Sequence, residues 1–205
     1  MARPAPEESD EAAERPDGRS VRAERTRDAI VDGLLGLLGE GVVAPTIEQI
    51  AGRAGVSQRS IFLHFHDREA VLVAAGARRA EQVGALVEPL PSGGPLERRL
   101  EAFLDQRVRV LEEISPYRRA AVLVEPSSEA VAAGLAMARR AGRAQLEQVF
   151  GPELEGLPAT DRAEILAALD ATCAWPFWES LRRHQGLDLA AARAALRRAL
   201  IALLG

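Results

Sequence analysis

The sequence predicts an all-α fold, an N-terminal three-helix helix-turn-helix head followed by a larger C-terminal helical domain, with about nine helices in total. Three features predict it. Apolar residues recur at three- and four-residue spacing, no stretch alternates as a half-buried strand would, and glycine and proline fall between the periodic segments. Hydrophobic residues are 47% of the 205 and aromatics only 4%, so the core is to be built from leucine, valine and alanine.

Residues 1–20 hold Pro4, Pro6, Pro16, Gly18, six acids and three arginines without a branched aliphatic side chain, the composition of a disordered tail. A first helix is expected over residues 21–40, with Gly33 and Gly36 inside it at a cost of about 0.5–1 kcal/mol each relative to alanine. Pro45 then precedes Thr46, an N-cap with Gln49 placed three residues later as its capping-box partner. Residues 46–65 read as two short helices bent around one glycine. Ile47, Ile50, Ala51 and Ala54 make one apolar stripe, and Gly55 can take the left-handed conformation that ends a helix. Val56 packs into the angle, Ser57 caps the second helix, and Ile61 and Phe65 give it a buried edge. This is the helix-turn-helix pattern, which holds its second helix out for the major groove of DNA.

A fourth helix is expected over residues 68–86, and Pro91-Ser92-Gly93-Gly94-Pro95 is the clearest break in the chain. The next helix spans residues 96–113, a shorter one starts at Ser115-Pro116 and ends near Val124, and another runs from Glu125-Pro126-Ser127 to about Phe150. Thr160 is placed to cap a helix reaching His184, kinked where Pro176 removes one hydrogen bond. Gly186-Leu187-Asp188 then leads into a last helix ending at Leu204.

With its flanks, the helix-turn-helix stretch resembles the TetR (tetracycline-repressor-like) family of transcriptional regulators. The first helix carries Arg27, Ile30-Val31, Gly33, Leu34-Leu35, Leu37-Leu38 and Gly41 in the family's order. The recognition helix and its exit read Val56-Ser57-Gln58-Arg59-Ser60-Ile61-Phe62-Leu63-His64-Phe65-His66-Asp67-Arg68-Glu69, an aromatic–x–His–Phe ending that a bare helix-turn-helix would not carry. The match covers about residues 22–72. Phe62 departs from the usual tyrosine and lacks its phosphate-reaching hydroxyl, and Arg68 stands where lysine is common.

After the tail at 1–20, the resemblance implies a DNA-binding domain at 21–67 and a ligand-binding and dimerisation domain at 68–205. Gln58, Arg59 and Ser60 open the recognition helix, where side chains of this motif meet base edges. The family pattern adds Thr46, Ser57, Phe62, Leu63, His64 and Arg68 as DNA contacts or helix caps. It also implies a homodimer on a palindromic operator, with repression relieved by an unidentified small molecule. Two readings stay open for the segment Thr172-Cys173-Ala174-Trp175-Pro176-Phe177-Trp178: dimer anchors or pocket lining. Trp178, Leu181, Leu196 and Leu200 are the dimer candidates. Phe103, Arg107, Tyr117, Met137, Phe150, Cys173 and Trp175 are the pocket candidates.

Composition bounds the alternatives. All 26 basic residues are arginine, which removes a phosphate-loop, Schiff-base or general-base lysine from consideration. A single cysteine, Cys173, leaves no intramolecular disulfide and no multi-cysteine zinc site, and fits a cytoplasmic compartment. No apolar run reaches the length of a membrane span. His64 and His66, two residues apart on a helix, point to different faces, so no metal or other cofactor is expected. No nucleophile elbow or metalloprotease motif is found, which argues against an enzyme. Net charge is −4, and residues 21–72 hold six arginines against seven acids. DNA binding needs a basic face rather than a basic domain, so weak non-specific binding with steep salt dependence is expected. The alternative is a helical small-molecule-binding or interaction protein that does not read DNA.

Overall fold

The computed structural model describes residues 18–205, so the expected disordered tail lies outside the described residues except for Gly18, Arg19 and Ser20. These three form the first turn of α1 (Gly18–Gly39) rather than tail. The order continues α2 (Ile47–Ala54), α3 (Gln58–His64), α4 (Arg68–Leu86), α5 (Leu96–Val124), α6 (Glu129–Leu154), α7 (Ala159–Cys173), α8 (Trp175–Glu179), a π-helical turn (Ser180–His184) and α9 (Leu189–Leu204). No strand occurs among the described residues, and none of their helices is long and apolar enough to cross a membrane.

Two apolar clusters organise these helices. The first joins Ile30, Leu34 and Leu38 of α1 to Ile50, Ile61 and Phe65 of the helix-turn-helix and to Val71, Leu72 and Ala75 of α4. Tyr117, Ala120 and Ala121 of α5 and Val131 and Leu135 of α6 close it from the other side. The second joins Leu100, Phe103 and Leu104 of α5 to Val149 and Phe150 of α6, Leu169 and Cys173 of α7, and Leu196 and Leu200 of α9. Helix α4 is thus the element that packs the first three helices onto the rest.

Four expectations change. Helix α5 does not break at Ser115-Pro116 but runs 29 residues through the proline. Pro116 cannot donate to the carbonyl four residues back, but its neighbourhood is tied down: Ser115 Oγ donates to the Leu111 carbonyl at 2.7 Å and accepts the Trp175 indole N–H at 3.1 Å. Helix α7 starts at Ala159 behind Pro158, with no side-chain cap from Thr160. The expected single kinked helix to His184 is instead interrupted at Ala174, whose backbone is extended (φ −75°, ψ 154°). Pro176 sits in the first turn of α8, where its missing N–H costs nothing, so breaking the helix is cheaper than threading the proline through it. Helix α6 also continues past the expected end, through Gly151-Pro152 to Leu154.

Ion pairs lace the outer edges together. Arg193 and Arg197 of α9 hold Glu97, Glu101 and Asp105 of α5. Arg99 of α5, 2% exposed at its side chain, is held by Glu153 of α6. Arg119 grips Glu179 through two hydrogen bonds of 2.7 and 2.9 Å, and Arg182 does the same to Glu112, which also accepts the Trp178 indole N–H at 2.7 Å. The segment broken by Pro176 is therefore fastened to the proline-bearing stretch of α5.

Candidate nucleic-acid interface

Local chemistry sets the angle between α2 and α3. The Thr46 hydroxyl accepts from the Gln49 N–H at 3.2 Å while Gln49 Oε1 accepts from the Thr46 N–H at 2.8 Å, a complete capping box. Gly55 ends α2 in the left-handed region at φ 67°, where a side chain would be strained. Ser57 then caps α3 by accepting from the Ser60 N–H at 3.1 Å. Ile50, Ala51, Ile61 and Phe65 fill the inside of the angle and are all nearly inaccessible.

Helix α1 braces this unit closely. A Cβ at Gly33 would lie 3.2 Å from the Ala54 Cβ, and one at Gly36 would lie 3.2 Å from the Arg53 guanidinium. The glycines that weaken α1 as an isolated helix are therefore what let α2 lie against it. Arg27 secures the far end: it stacks 4.3 Å from the Phe65 ring centroid and donates to the His64 carbonyl at 3.3 Å. Arg27 is spent on the exit of the recognition helix, not held out as part of a basic cluster. Arg22 and Arg25 lie in the first turns of α1.

The outward face of α3 carries Gln58 and Arg59, both exposed, and a pair of large apolar side chains, Phe62 at 54% and Leu63 at 75% exposure. Ser60 and His64 are half-buried. Arg59 and Arg68 have no ion-pair partner among the described residues, whereas Arg53 is paired with Glu40 at 2.6 Å. Beside the start of α3, Arg19, Arg22 and Arg25 line a hollow of about 700 Å³ together with Thr26, Ala29 and Val56. Four acids of this region are engaged elsewhere, while Glu24 and Glu48 stay exposed: Asp28 and Asp32 are paired with Arg78, Asp67 caps α4, and Glu69 accepts a hydrogen bond from Ser128. A region with no net basic surplus thus still gathers arginines along one edge beside α3. Chemically, an arginine and a glutamine can pair with base edges, and exposed Phe62 and Leu63 can meet thymine methyl groups.

The other candidates scatter. Met137 is 62% exposed and lines no interior. Phe103 and Phe150 are fully buried against each other, edge to face at 5.2 Å, and serve the core. Tyr117 is buried where α4 crosses α5, with Gly76 beneath its ring. Arg107 and Cys173 lie near each other between α5, α6 and α7, whereas Trp175 of α8 sits farther along α5, against Ser115 and Arg118. Burial pushes the Cys173 thiol up to about 12, so it is an inert core side chain. Trp178, Leu181, Leu196 and Leu200, expected at a dimer surface, are between 0 and 6% exposed in a single protomer. The break at Ala174 and the ion-pair ladder between α9 and α5 turn those side chains inward. Leu189 and Ile201, at 47% and 39%, are the apolar residues that α9 leaves outside.

Sequence reasoning passed over Gly76, Glu112, Arg118 and Glu179, because each is unremarkable alone and acquires meaning only from a partner 40 to 70 residues away. Among the described residues no group of three or more histidines, cysteines or acids could hold a metal ion.

Residues 30–75 match the family model for bacterial regulatory proteins of the tetR family. A putative TetR-family transcriptional regulator from Rhodococcus sp. has a similar structure at 21% identity and a TM-score of 0.66, covering 89% of this chain and 100% of its own. A tetR-family regulator from Streptomyces coelicolor gives 20% identity and a TM-score of 0.65, over 88% of this chain and 80% of its own. One from Mesorhizobium loti gives 16% and 0.60, over 89% and 96%. No curated relative matches the sequence.

Proposed function

We infer that this chain, which carries the TetR-family signature at residues 30–75, is a homodimeric DNA-binding transcriptional regulator, a repressor released from its operator by a small molecule. In this reading residues 21–67 are the DNA-binding head, residues 68–205 are the ligand-binding and dimerisation body, and the protein works in the cytoplasm. The observation that carries it is the face of α3, where Gln58, Arg59, Phe62 and Leu63 are all exposed on a helix whose two ends are clamped. Large apolar side chains left in water beside an unpaired arginine are better accounted for by a groove than by a solvated surface.

Two heads would straddle a palindromic site with recognition helices about one DNA turn apart, ~34 Å. The second copy would lie against the outward faces of α7 and α9, Ile201 included, since the inward faces are already filled. Arg68 and the hollow lined by Arg19, Arg22 and Arg25 would meet phosphates.

The route from body to head runs through α4. Arg78 ties it to Asp28 and Asp32 of α1, Arg79 to Glu113 of α5, and Glu69 to Ser128 at the start of α6. A ligand that favours one placement of α5 and α6 would shift head spacing, and only by the difference in its affinity for the two placements. The test is a titration of a selected duplex at fixed salt with wild type and Arg59→Ala. The variant is expected to bind at least about tenfold more weakly with relaxed base choice, in line with about 1–3 kcal/mol for a bidentate base contact. Unchanged affinity and preference would remove Arg59 from the reading surface.

A further inference from the structure

Arg107 is a half-buried cation with no ion-pair partner among the described residues. Its Nε is shut off from water and has no hydrogen-bond partner. Nη2 donates to Gln145 Oε1 at 2.9 Å and to the Gly142 carbonyl at 3.4 Å, both neutral acceptors. The guanidinium lies 4.9 Å from the Phe103 ring centroid. Room has been left for it, since a Cβ at position 142 would come within 3.2 Å of Nη1. Eleven residues on, three turns along the same face of α5, Arg118 repeats the arrangement. It stands 5.3 Å from the Trp175 ring centroid, and its Nε too is buried without a partner.

The carboxylates whose field reaches these two arginines are engaged elsewhere. Asp170, on the Arg107 side, is 3.7 Å from Arg143, and Glu125, on the Arg118 side, is 2.9 Å from Arg139. Burial draws both guanidinium groups below their ordinary value, yet arginine does not give up its proton in proteins, so the desolvation cost stays. A desolvated charge without an ion-pair partner is costly, because the attraction that would offset its desolvation is missing. In a chain with four more acids than bases, the wedge between α5, α6 and α7 carries surplus positive charge.

We propose that Arg107 is the anchor for an anionic effector, a small organic carboxylate with an apolar body, seated between α5, α6 and α7. The Nε–H, left without a partner, suits one oxygen of a carboxylate, a charge-assisted hydrogen bond. Phe103, Leu111 and Cys173 supply apolar surroundings, and Arg118 extends the positive field toward Trp175. This rests on the ligand-responsive reading above and adds the charge and class of the ligand.

The probes are benzoate, phenylacetate and octanoate, each against its neutral primary amide, added to the full chain and followed by thermal shift and tryptophan fluorescence. At least one acid is expected to raise Tm and perturb the Trp175 emission while its amide does neither. Arg107→Met should lose that response while melting no lower than wild type in the absence of probe. Arg107→Lys, which keeps the charge but has no donor at the Nε position, should bind about tenfold more weakly, and it carries the test if the methionine variant does not fold. Equal responses to acids and amides, no response to any acid, or a full response in Arg107→Met would each overturn the assignment. DNA selection by the same wild-type samples separates the two readings. Selection without an acid response sinks the anchor alone, and an acid response without selection sinks the regulator alone.

Discussion

Gly76 of α4 lies directly beneath the Tyr117 ring of α5, so close that a Cβ at position 76 would stand 3.0 Å from the phenol Cζ and collide with its hydroxyl oxygen. This is the point at which the helix bearing the head is seated on the body. Gly76→Ala is expected to destabilise the protein by about 1–3 kcal/mol, the usual cost of overpacking, even though alanine favours the helix. Tyr117→Phe in the same chain should recover part of the loss. Chemical denaturation of the two single variants and the double variant measures this. Simple additivity would show that the two positions do not meet.

Gly33 makes the same case inside the head, with an internal control available. Both Gly33 of α1 and Gly134 of α6 are helical, but only Gly33 faces a neighbour, whereas a Cβ at 134 meets nothing within 4 Å. Gly134→Ala should therefore gain about 0.5–1 kcal/mol from helix propensity, while Gly33→Ala should lose stability because Ala54 is backed by the α2 backbone. Two gains would mean that α1 and α2 can separate without cost.

Acid should loosen the seam between α5 and α6. Hydrogen bonds from Arg99 hold the Glu153 carboxyl below the usual carboxylate range, against the burial that pushes it up. A carboxylate whose folded pKa is depressed stabilises fully above its unfolded value, about 4.3, and loses that contribution as pH falls through the folded one. The stability gap between wild type and Glu153→Gln is thus expected to be widest near neutrality and to narrow below about pH 4. A gap independent of pH would assign Glu153 a role that does not depend on its charge.

What could be read from residues alone follows the range of the interactions. Thr46, Gln49, Gly55 and Ser57 act over three or four positions, so their caps and turn were legible, and with them the geometry of the head. Local logic misled where distant partners decide. Pro116 looks like a helix start, yet Trp175, 60 residues from the adjoining Ser115 that it bonds, helps hold its turn inside α5. Trp178 and Leu196 look like interface residues, but any apolar stripe serves equally well inside a protomer, and here it does. Gly33 and Gly36 read as defects because their cost is local and their benefit lies on α2.

Selection of binding sites from a random duplex pool at controlled salt tests the central claim most directly. The account predicts enrichment of a palindrome whose half-sites are centred about one helical turn apart, with enrichment falling steeply as salt rises and weakened, with relaxed base choice, for Arg59→Ala. A pool that emerges without any preferred sequence, at salt low enough for the protein to bind, would contradict it.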